Sequence, residues 1–126
     1  NMIFGVGTDI VSLSRLEKMD NLEKFAMKVL SEKELAIFTN LVEPKKITYL
    51  AKQFAGKEAI SKAFGTGMSL PVMFENIEIL RDDHGKPIFN ALNDLKILQV
   101  DLGIVKSHVS LADEKNYAIA FAILEI

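Results

Sequence analysis

Two acidic residues lie in segments that otherwise carry glycines and basic residues. Asp9 follows a strand-like run of Ile, Phe and Val, and Glu58 lies inside a glycine- and lysine-containing segment. Magnesium gives up its water reluctantly, so proteins commonly hold it with one or two carboxylates while substrate phosphates supply other oxygens. The groups that could contact such phosphates are Lys57, Lys62 and the backbone of Gly65, Thr66 and Gly67. These residue types therefore indicate a magnesium and phosphate site.

The composition is that of one small cysteine-free domain. The 126 residues suffice for a hydrophobic core, and we treat residues 1–126 as a single domain. The absence of cysteine excludes disulfides, zinc-thiolate sites and cysteine nucleophiles. It is compatible with a protein that works in a reducing compartment. A net charge of −2 argues against nucleic acid as a partner. No apolar run approaches the roughly 20 residues of a membrane span, so we expect no membrane partner and a cytoplasmic location.

Hydrophobic periodicity and capping signals predict strands at both ends of the chain and helices between them. The predicted elements of the first half are a strand over 2–11, a helix capped by Ser12 or Ser14 and running to Asn21, and helices over 22–29 and 31–40. The last of these begins with the capping-box spacing of Ser31 and Glu34.

The longest predicted helix runs from Lys45 to Phe64, after Pro44, and ends at Gly65. Glu58 falls within its apolar stripe, where an uncompensated charge costs several kcal/mol. Two interpretations follow. Glu58 either lies beside a metal, a cation or a water-filled cleft, or it forms a surface ion pair with Lys62 one turn later.

The second half of the chain predicts paired strands. A hairpin is expected over 76–89, and its turn holds Asp82, Asp83 and His84, which suit turn geometry better than a metal site. Two further strands are predicted over 104–111 and 116–126. The last strand is apolar on both faces, so we expect both to be covered, one by the long helix or by another subunit. The flat face of small residues, which includes Ala120, is expected in a subunit interface.

Two common nucleotide-binding motifs are excluded. Gly5 and Gly7 lack the third glycine of a dinucleotide-binding turn, because Ile10 occupies that position. Neither Gly56-Lys57 nor Gly85-Lys86 has the spacing of a P-loop, and Glu58 or Pro87 replaces the required Ser or Thr.

Three blocks resemble a known family across essentially the whole chain. They are Gly5 to Val11, Phe54 to Gly67, and His108 to Leu111, and their order and spacing resemble the holo-[acyl-carrier-protein] synthases. The resemblance implies an α+β fold, the 4′-phosphopantetheinyl transferase-like fold, in which a small antiparallel sheet packs on a long helix. It also implies a homotrimer with active sites between subunits. The implied reaction is magnesium-dependent transfer of 4′-phosphopantetheine from coenzyme A to a serine of acyl carrier protein, in fatty acid biosynthesis.

The resemblance also implies residue roles. Asp9 and Glu58 would bind magnesium, and Lys62 would contact the pyrophosphate of coenzyme A. The implied coenzyme A cleft includes Gly65, Thr66, Gly67 and His108, and the implied catalytic residues are Glu58, Lys62 and His108. The implied docking residues for the acidic carrier protein are Arg15, Lys18, Lys24, Phe25 and Lys28.

This chain departs from the family pattern at two positions. A second histidine that often follows the Val-Ser-Leu run is replaced here by Ala112-Asp113, so no role rests on it. Gly56 takes the place of an alanine, and we expect it to loosen the helix by up to about 1 kcal/mol.

Several alternatives stay open from the sequence. The general base is Glu58, His108 or a water at the metal, and we favour a water oriented by the carboxylates because a metal-bound carboxylate is a poor base. The competing functions are a non-enzymatic nucleotide-binding module and a structural trimer in which Glu58 is a plain ion pair. The range of carrier proteins and of acyl-coenzyme A donors is not fixed by the sequence.

Overall fold

A three-stranded antiparallel sheet packed on a long helix forms the centre of the fold. The structure, a computed structural model, describes residues 2–126. Its strands are β1 (Ile3–Ser12), β2 (Ile77–Arg81), β3 (Pro87–Ala91), β4 (Lys106–Asp113) and β5 (Tyr117–Glu125). Its helices are α1 (Leu13–Glu17), α2 (Leu22–Val29), α3 (Glu32–Thr39), α4 (Lys45–Phe64) and α5 (Asp94–Asp101), with a 3₁₀ helix at Phe74–Asn76. Within residues 2–126, no helix is both long enough and apolar enough to cross a membrane.

The sheet order β1-β5-β4 and the close packing of α4 confirm the predicted α+β class. α4 has the predicted limits, and it ends at Gly65, whose φ of 85° is left-handed. β1 lies against α4 with almost no space between the two backbones. A Cβ atom at Gly5 would overlap the carbonyl oxygen of Ala63, and one at Gly7 would overlap that of Ala59. Glycine at both positions therefore permits a direct contact between the strand and the helix.

The small-residue face of β5 is covered by α4 and not, as predicted, by a subunit interface. Gly7 faces α4 and pairs with Ala122, so the small residues of β5, including Ala120, are buried on α4. Their burial inside one protomer shows that the assignment of this face to a subunit interface was wrong. Small side chains are required there because the helix backbone approaches the sheet so closely.

The large apolar residues of β5 lie on the opposite, open face of the sheet. Tyr117, Ile119 and Phe121 are 48%, 45% and 44% exposed, and Val6 and Ile10 of β1 lie beside them at 49% and 61%. We call these five residues the open sheet face. An exposed apolar surface of this kind is typical of an interaction site.

The N-terminal helical region differs from the prediction. α1 ends at Glu17 instead of continuing to Asn21, because Asn21 begins the next helix: its side chain accepts a hydrogen bond of 3.0 Å from the Lys24 amide. The capping box of α3 is confirmed, since Ser31 and Glu34 exchange side chain to backbone hydrogen bonds.

The hairpin of β2 and β3 is confirmed, and its turn explains the polar cluster. The Asp82 carboxylate accepts hydrogen bonds of 2.9 Å from the amides of His84 and Lys86, so it closes the turn. The helix α5, which follows β3, was not predicted. It begins after Asn93, a residue with a φ of 53° and without a side-chain cap.

Candidate active site

Asp9, Glu58 and Lys62 lie together where β1 meets the last turns of α4. The Lys62 ammonium is 3.2 Å from an Asp9 carboxylate oxygen and 3.0 Å from the Thr8 carbonyl oxygen. Glu58 lies one turn before Lys62 on the same side of α4, and its side chain is only partly exposed. The fold therefore brings together three residues that the sequence predicted for one site.

The environment of Glu58 decides between its two interpretations. Lys62 pairs with Asp9, and no ion pair to Glu58 is formed within residues 2–126. Burial raises the pKa of Glu58, and the Asp9 carboxylate raises it further, although Lys62 and Arg15 oppose these effects. The surface ion pair between Glu58 and Lys62 is therefore not formed. Glu58 instead shares a partly buried site with a second carboxylate.

The donor set suits a hard divalent cation. Two carboxylates provide oxygen ligands, and their mutual repulsion is relieved when a cation lies between them. Among residues 2–126, no group of three or more His, Cys, Asp or Glu side chains forms a metal cluster. A magnesium ion at Asp9 and Glu58 would consequently depend on water and ligand oxygens for the rest of its coordination.

Lys57 does not contribute to this site, contrary to the prediction. Its side chain is fully buried, and its ammonium lies 2.6 Å from Glu34, 2.6 Å from the Val29 carbonyl oxygen and 3.1 Å from the Phe74 carbonyl oxygen. A buried ammonium needs such partners because an unpaired charge inside a protein is costly. Lys57 is therefore an internal anchor and cannot contact phosphate.

The loop of Gly65, Thr66 and Gly67 follows α4 directly. The Gly65 amide donates to the Lys62 carbonyl oxygen at 2.9 Å, and the Gly67 amide donates to the Ser61 carbonyl oxygen at 3.2 Å. These bonds satisfy carbonyl groups at the helix end, so the two glycine amides are engaged. Thr66 between them is exposed, and its hydroxyl donates to the Gly67 carbonyl oxygen at 2.8 Å. The role of this loop in the coenzyme A cleft stays a prediction.

His108 lies on the opposite face of the sheet from Asp9. It pairs with Ile123 across the strands, and its Nε2 is 2.5 Å from the Glu125 carboxylate. The hydrogen bond to His108 is the main reason why the pKa of Glu125 is lowered. Within this chain, the sheet therefore separates His108 from Asp9, Glu58 and Lys62.

Two of the predicted docking residues, Arg15 and Phe25, meet at the ring of Phe54 near Glu58. The guanidinium of Arg15 lies 5.5 Å from the ring centre of Phe54, and the Phe25 ring lies 5.5 Å from the same ring. Phe54 is one turn before Glu58 on α4. We define the docking surface as Arg15, Lys18, Lys24, Phe25 and Lys28; its four basic residues are exposed, and Phe25 is half-buried. No role of its own was predicted for Phe54, which contacts both Arg15 and Phe25.

A basic cavity on another side of α4 was not predicted. It has a volume of about 560 Å³, and its basic lining residues are Lys45, Lys52 and Arg81. Arg81 Nη1 is buried without a hydrogen-bond partner in the described part of the chain, and Lys52 pairs with Asp113 at 2.9 Å. Lys45 and Lys52 lie about two turns apart on α4, and the fold adds Arg81 from the end of β2. The three positive charges outnumber the single carboxylate of the cavity, Asp113, and this balance suits an anionic ligand.

Known proteins resemble this chain over nearly its whole length. A sequence profile described as the 4′-phosphopantetheinyl transferase superfamily matches residues 5–122. A protein of Shewanella denitrificans named holo-[acyl-carrier-protein] synthase is 47% identical over 98% of each chain.

Solved structures extend the similarity to the fold. The holo-[acyl-carrier-protein] synthase of Neisseria meningitidis is 40% identical, with a TM-score of 0.91 over 99% of this chain and 100% of that one. That of Bacillus anthracis, solved in complex with CoA (3′,5′-ADP), is 37% identical, with a TM-score of 0.83 over 98% and 97%. The profile, the identities and the shared fold show that this chain belongs to the holo-[acyl-carrier-protein] synthases, within the 4′-phosphopantetheinyl transferase superfamily.

Proposed function

We propose that residues 1–126 form one enzyme domain that transfers 4′-phosphopantetheine from coenzyme A to a serine of apo acyl carrier protein. The reaction releases adenosine 3′,5′-bisphosphate and serves fatty acid biosynthesis in the cytoplasm. The observation that carries the proposal is the meeting of Asp9, Glu58 and Lys62 beside a basic and aromatic docking surface. Relatives named as synthases of this kind support it.

The chemistry requires positioning and charge neutralisation more than covalent help from the protein. The serine oxygen forms a bond to the β-phosphorus of coenzyme A, and the bond from that phosphorus to the oxygen it shares with the α-phosphorus breaks. The electron pair of the broken bond leaves with adenosine 3′,5′-bisphosphate. Magnesium held by Asp9 and Glu58 would supply positive charge for the pyrophosphate.

In this proposal Lys62 binds both the protein at Asp9 and Thr8 and a phosphate group of coenzyme A. Its ammonium carries three donors, of which contacts to Asp9 and Thr8 use two. The remaining donor would bind a phosphate oxygen, where charge develops as the leaving group departs. For the serine proton we keep a water oriented by Asp9 and Glu58, because a carboxylate that binds metal is a poor base.

We further propose that the active form is a homotrimer. Two observations support a subunit interface at the open sheet face: its apolar residues are uncovered, and His108 lies on the same side of the sheet. Only a neighbouring protomer can bring His108 near Asp9 and Glu58, since one protomer separates them by its sheet. The coenzyme A site would then be shared between subunits.

Mass spectrometry tests the proposed reaction directly. Apo acyl carrier protein is incubated with coenzyme A, magnesium and the enzyme, and the carrier is expected to gain the mass of one phosphopantetheine at its serine. A carrier variant with alanine at that serine is the matched control and should stay unmodified. Binding of coenzyme A without any gain in carrier mass would instead indicate a nucleotide-binding module, and the absence of any binding would indicate a structural protein.

A further inference from the structure

One buried ion pair includes Lys57, the neighbour of Glu58 on α4, and takes no part in the proposed chemistry. Lys57 and Glu34 are both fully buried, and their charged atoms are 2.6 Å apart. Breaking such a pair is strongly destabilising, whereas apolar residues of similar size often serve equally well for stability. A simple contribution to folding therefore does not account for this pair.

Glu34 joins three elements of the fold through hydrogen bonds to its two carboxylate oxygens. One oxygen accepts hydrogen bonds from the Ser31 amide and from Lys57, and the other accepts from the Gln53 side chain and the Ile79 amide. Glu34 thus ties the beginning of α3 to α4 and to β2. With four donors around it, this carboxylate is held in one position.

Lys57 extends the same network to the docking surface. Its ammonium binds the carbonyl oxygen of Val29, the last residue of α2, and the carbonyl oxygen of Phe74 in the 3₁₀ helix. A cation at a helix C-terminus also interacts favourably with the helix dipole. The end of the helix that carries Lys24, Phe25 and Lys28 is therefore fixed to α4 by a charge-assisted hydrogen bond.

Three aromatic rings form a second contact between α2, α4 and the 3₁₀ helix. Phe74 packs against Phe54 at 5.7 Å between ring centres, and Phe25 packs against the same ring at 5.5 Å. Lys57 holds the backbone at Phe74, and the next residue on α4 is Glu58. One side chain thus sets the position of α2, and of the aromatic rings beside it, relative to the proposed magnesium site.

We propose that Lys57 is a positioning residue that fixes the carrier-docking helix α2 relative to Glu58, so that a docked carrier presents its serine to the site. The proposal rests on the proposed transfer reaction and adds a residue that touches neither substrate. It predicts that loss of the Lys57 ammonium impairs use of the carrier and spares coenzyme A.

Steady-state kinetics of Lys57→Met test the proposal, with both substrates varied. We expect the KM for the carrier to rise at least fivefold while the KM for coenzyme A stays within twofold of the unmodified enzyme. Leu95→Ala is the control for loss of stability, because Leu95 of α5 is fully buried but contributes no hydrogen bond to the network of Lys57 and Glu34. It should lower the melting temperature without changing the KM for the carrier. Equal changes for both substrates, or the same carrier effect in Leu95→Ala, would overturn the proposal.

A second variant background separates positioning from loss of folded enzyme. When Lys24→Ala and Lys28→Ala have already weakened docking, Lys57→Met should raise the carrier KM by a smaller factor than in the unmodified chain. A plain loss of folded enzyme would lower the maximal rate by the same factor in both backgrounds. Additive effects on the carrier KM would contradict the proposal.

Amide hydrogen exchange on the unmodified enzyme gives a test that needs no folded variant. The proposal predicts that the Leu30 amide, which closes the end of α2, exchanges as slowly as amides in the middle of α4. Much faster exchange at Leu30 would mean that α2 opens independently of α4, and the proposal would fail. Lack of transfer by the unmodified enzyme would refute the proposed function, whereas this exchange result would still stand.

Discussion

The Lys62 ammonium lies 3.2 Å from the Asp9 carboxylate and so joins the last turn of α4 to β1. Glu58, one turn earlier, shares the site but has no ion pair within the described residues. The lysine that the sequence offered as a partner for Glu58 is therefore occupied by Asp9. The magnesium ion proposed for this site would balance the charge of the second carboxylate, and the predictions below test for it.

Removal of the Glu58 charge should abolish transfer without unfolding the protein. Glu58→Gln keeps the size of the side chain and deletes one magnesium ligand, so we expect the transfer rate to fall by about 100-fold or more. Asp9→Ala should have a comparable effect. Rates at varied magnesium concentration, together with the melting temperature, check this prediction. Near-normal rates with ordinary magnesium dependence would contradict the assigned metal site.

The raised pKa of Glu58 predicts a stability effect of defined sign. A carboxyl group with a raised pKa in the folded state favours folding below its ordinary pKa, and this contribution is lost as the pH rises through the raised value. Without magnesium, Glu58→Gln should therefore melt at nearly the same temperature as the unmodified protein at acidic pH and at a higher temperature near neutral pH. Magnesium should close that gap by stabilising only the unmodified protein. Thermal melts at several pH values check this prediction, and a difference between the two proteins that does not change with pH would show that the pKa of Glu58 is not raised.

Removal of the lysine charges of α2 should weaken association with the carrier protein. Lys24→Ala and Lys28→Ala should each raise the KM for the carrier about two- to fivefold and flatten its dependence on salt, while coenzyme A binding is unchanged. Lys96→Ala, an exposed lysine of α5, is the matched control. Arg15 is less suitable for this test because it also lowers the pKa of Glu58. Loss of coenzyme A binding in the lysine variants would argue against a docking role.

The position of the apolar faces of β5 predicts two different outcomes for two arginine substitutions. Phe121→Arg places charge on the open sheet face and should yield a folded, inactive monomer. Ala120→Arg places charge between the sheet and α4, so it should destabilise the protomer by about 3 kcal/mol or more. Light scattering and circular dichroism distinguish these outcomes. A stable active monomer of the unmodified chain would refute both the trimer and the shared site.

A shared site also predicts complementation between inactive variants. Glu58→Gln and His108→Ala protomers are each expected to be inactive alone, but mixed trimers contain sites with both residues intact. Random assembly from equal amounts would restore about a quarter of the normal activity, because each of the two residues is present with a probability of one half. Activity measured after co-expression tests this expectation. No recovery, despite proven mixed assembly, would place both residues in one protomer.

The limits of the central elements could be predicted because they depend on local signals. Periodicity, Pro44 and Gly65 define α4, and the box of Ser31 and Glu34 defines the start of α3. The end of α1 was placed too late, since Asn21 can serve either as the end of one helix or as the cap of the next. The helix α5 was missed because it lacks a side-chain cap and is preceded by an unusual backbone conformation at Asn93.

The sequence predicted which residues lie at the candidate site. It did not predict the contacts of Lys57, the side of β5 that meets the helix, or the position of His108 across the sheet. Burial of Lys57 follows from Glu34, which lies 23 residues away, and no local pattern reports such a partner. Both faces of β5 are apolar, so alternation alone does not say which one meets the helix. The separation of His108 from Asp9 likewise follows from strand pairing, which the sequence of β4 does not specify.

The contact of Gly5 and Gly7 with α4 has a consequence for how the sequence can change. Because main chain touches main chain at Ala59 and Ala63, the spacing between Asp9 and Glu58 is set by two backbones and not by side-chain packing. A single added methyl group at Gly5 or Gly7 would push the strand away from the helix, so the geometry of the proposed site leaves evolution no alternative residue at either position.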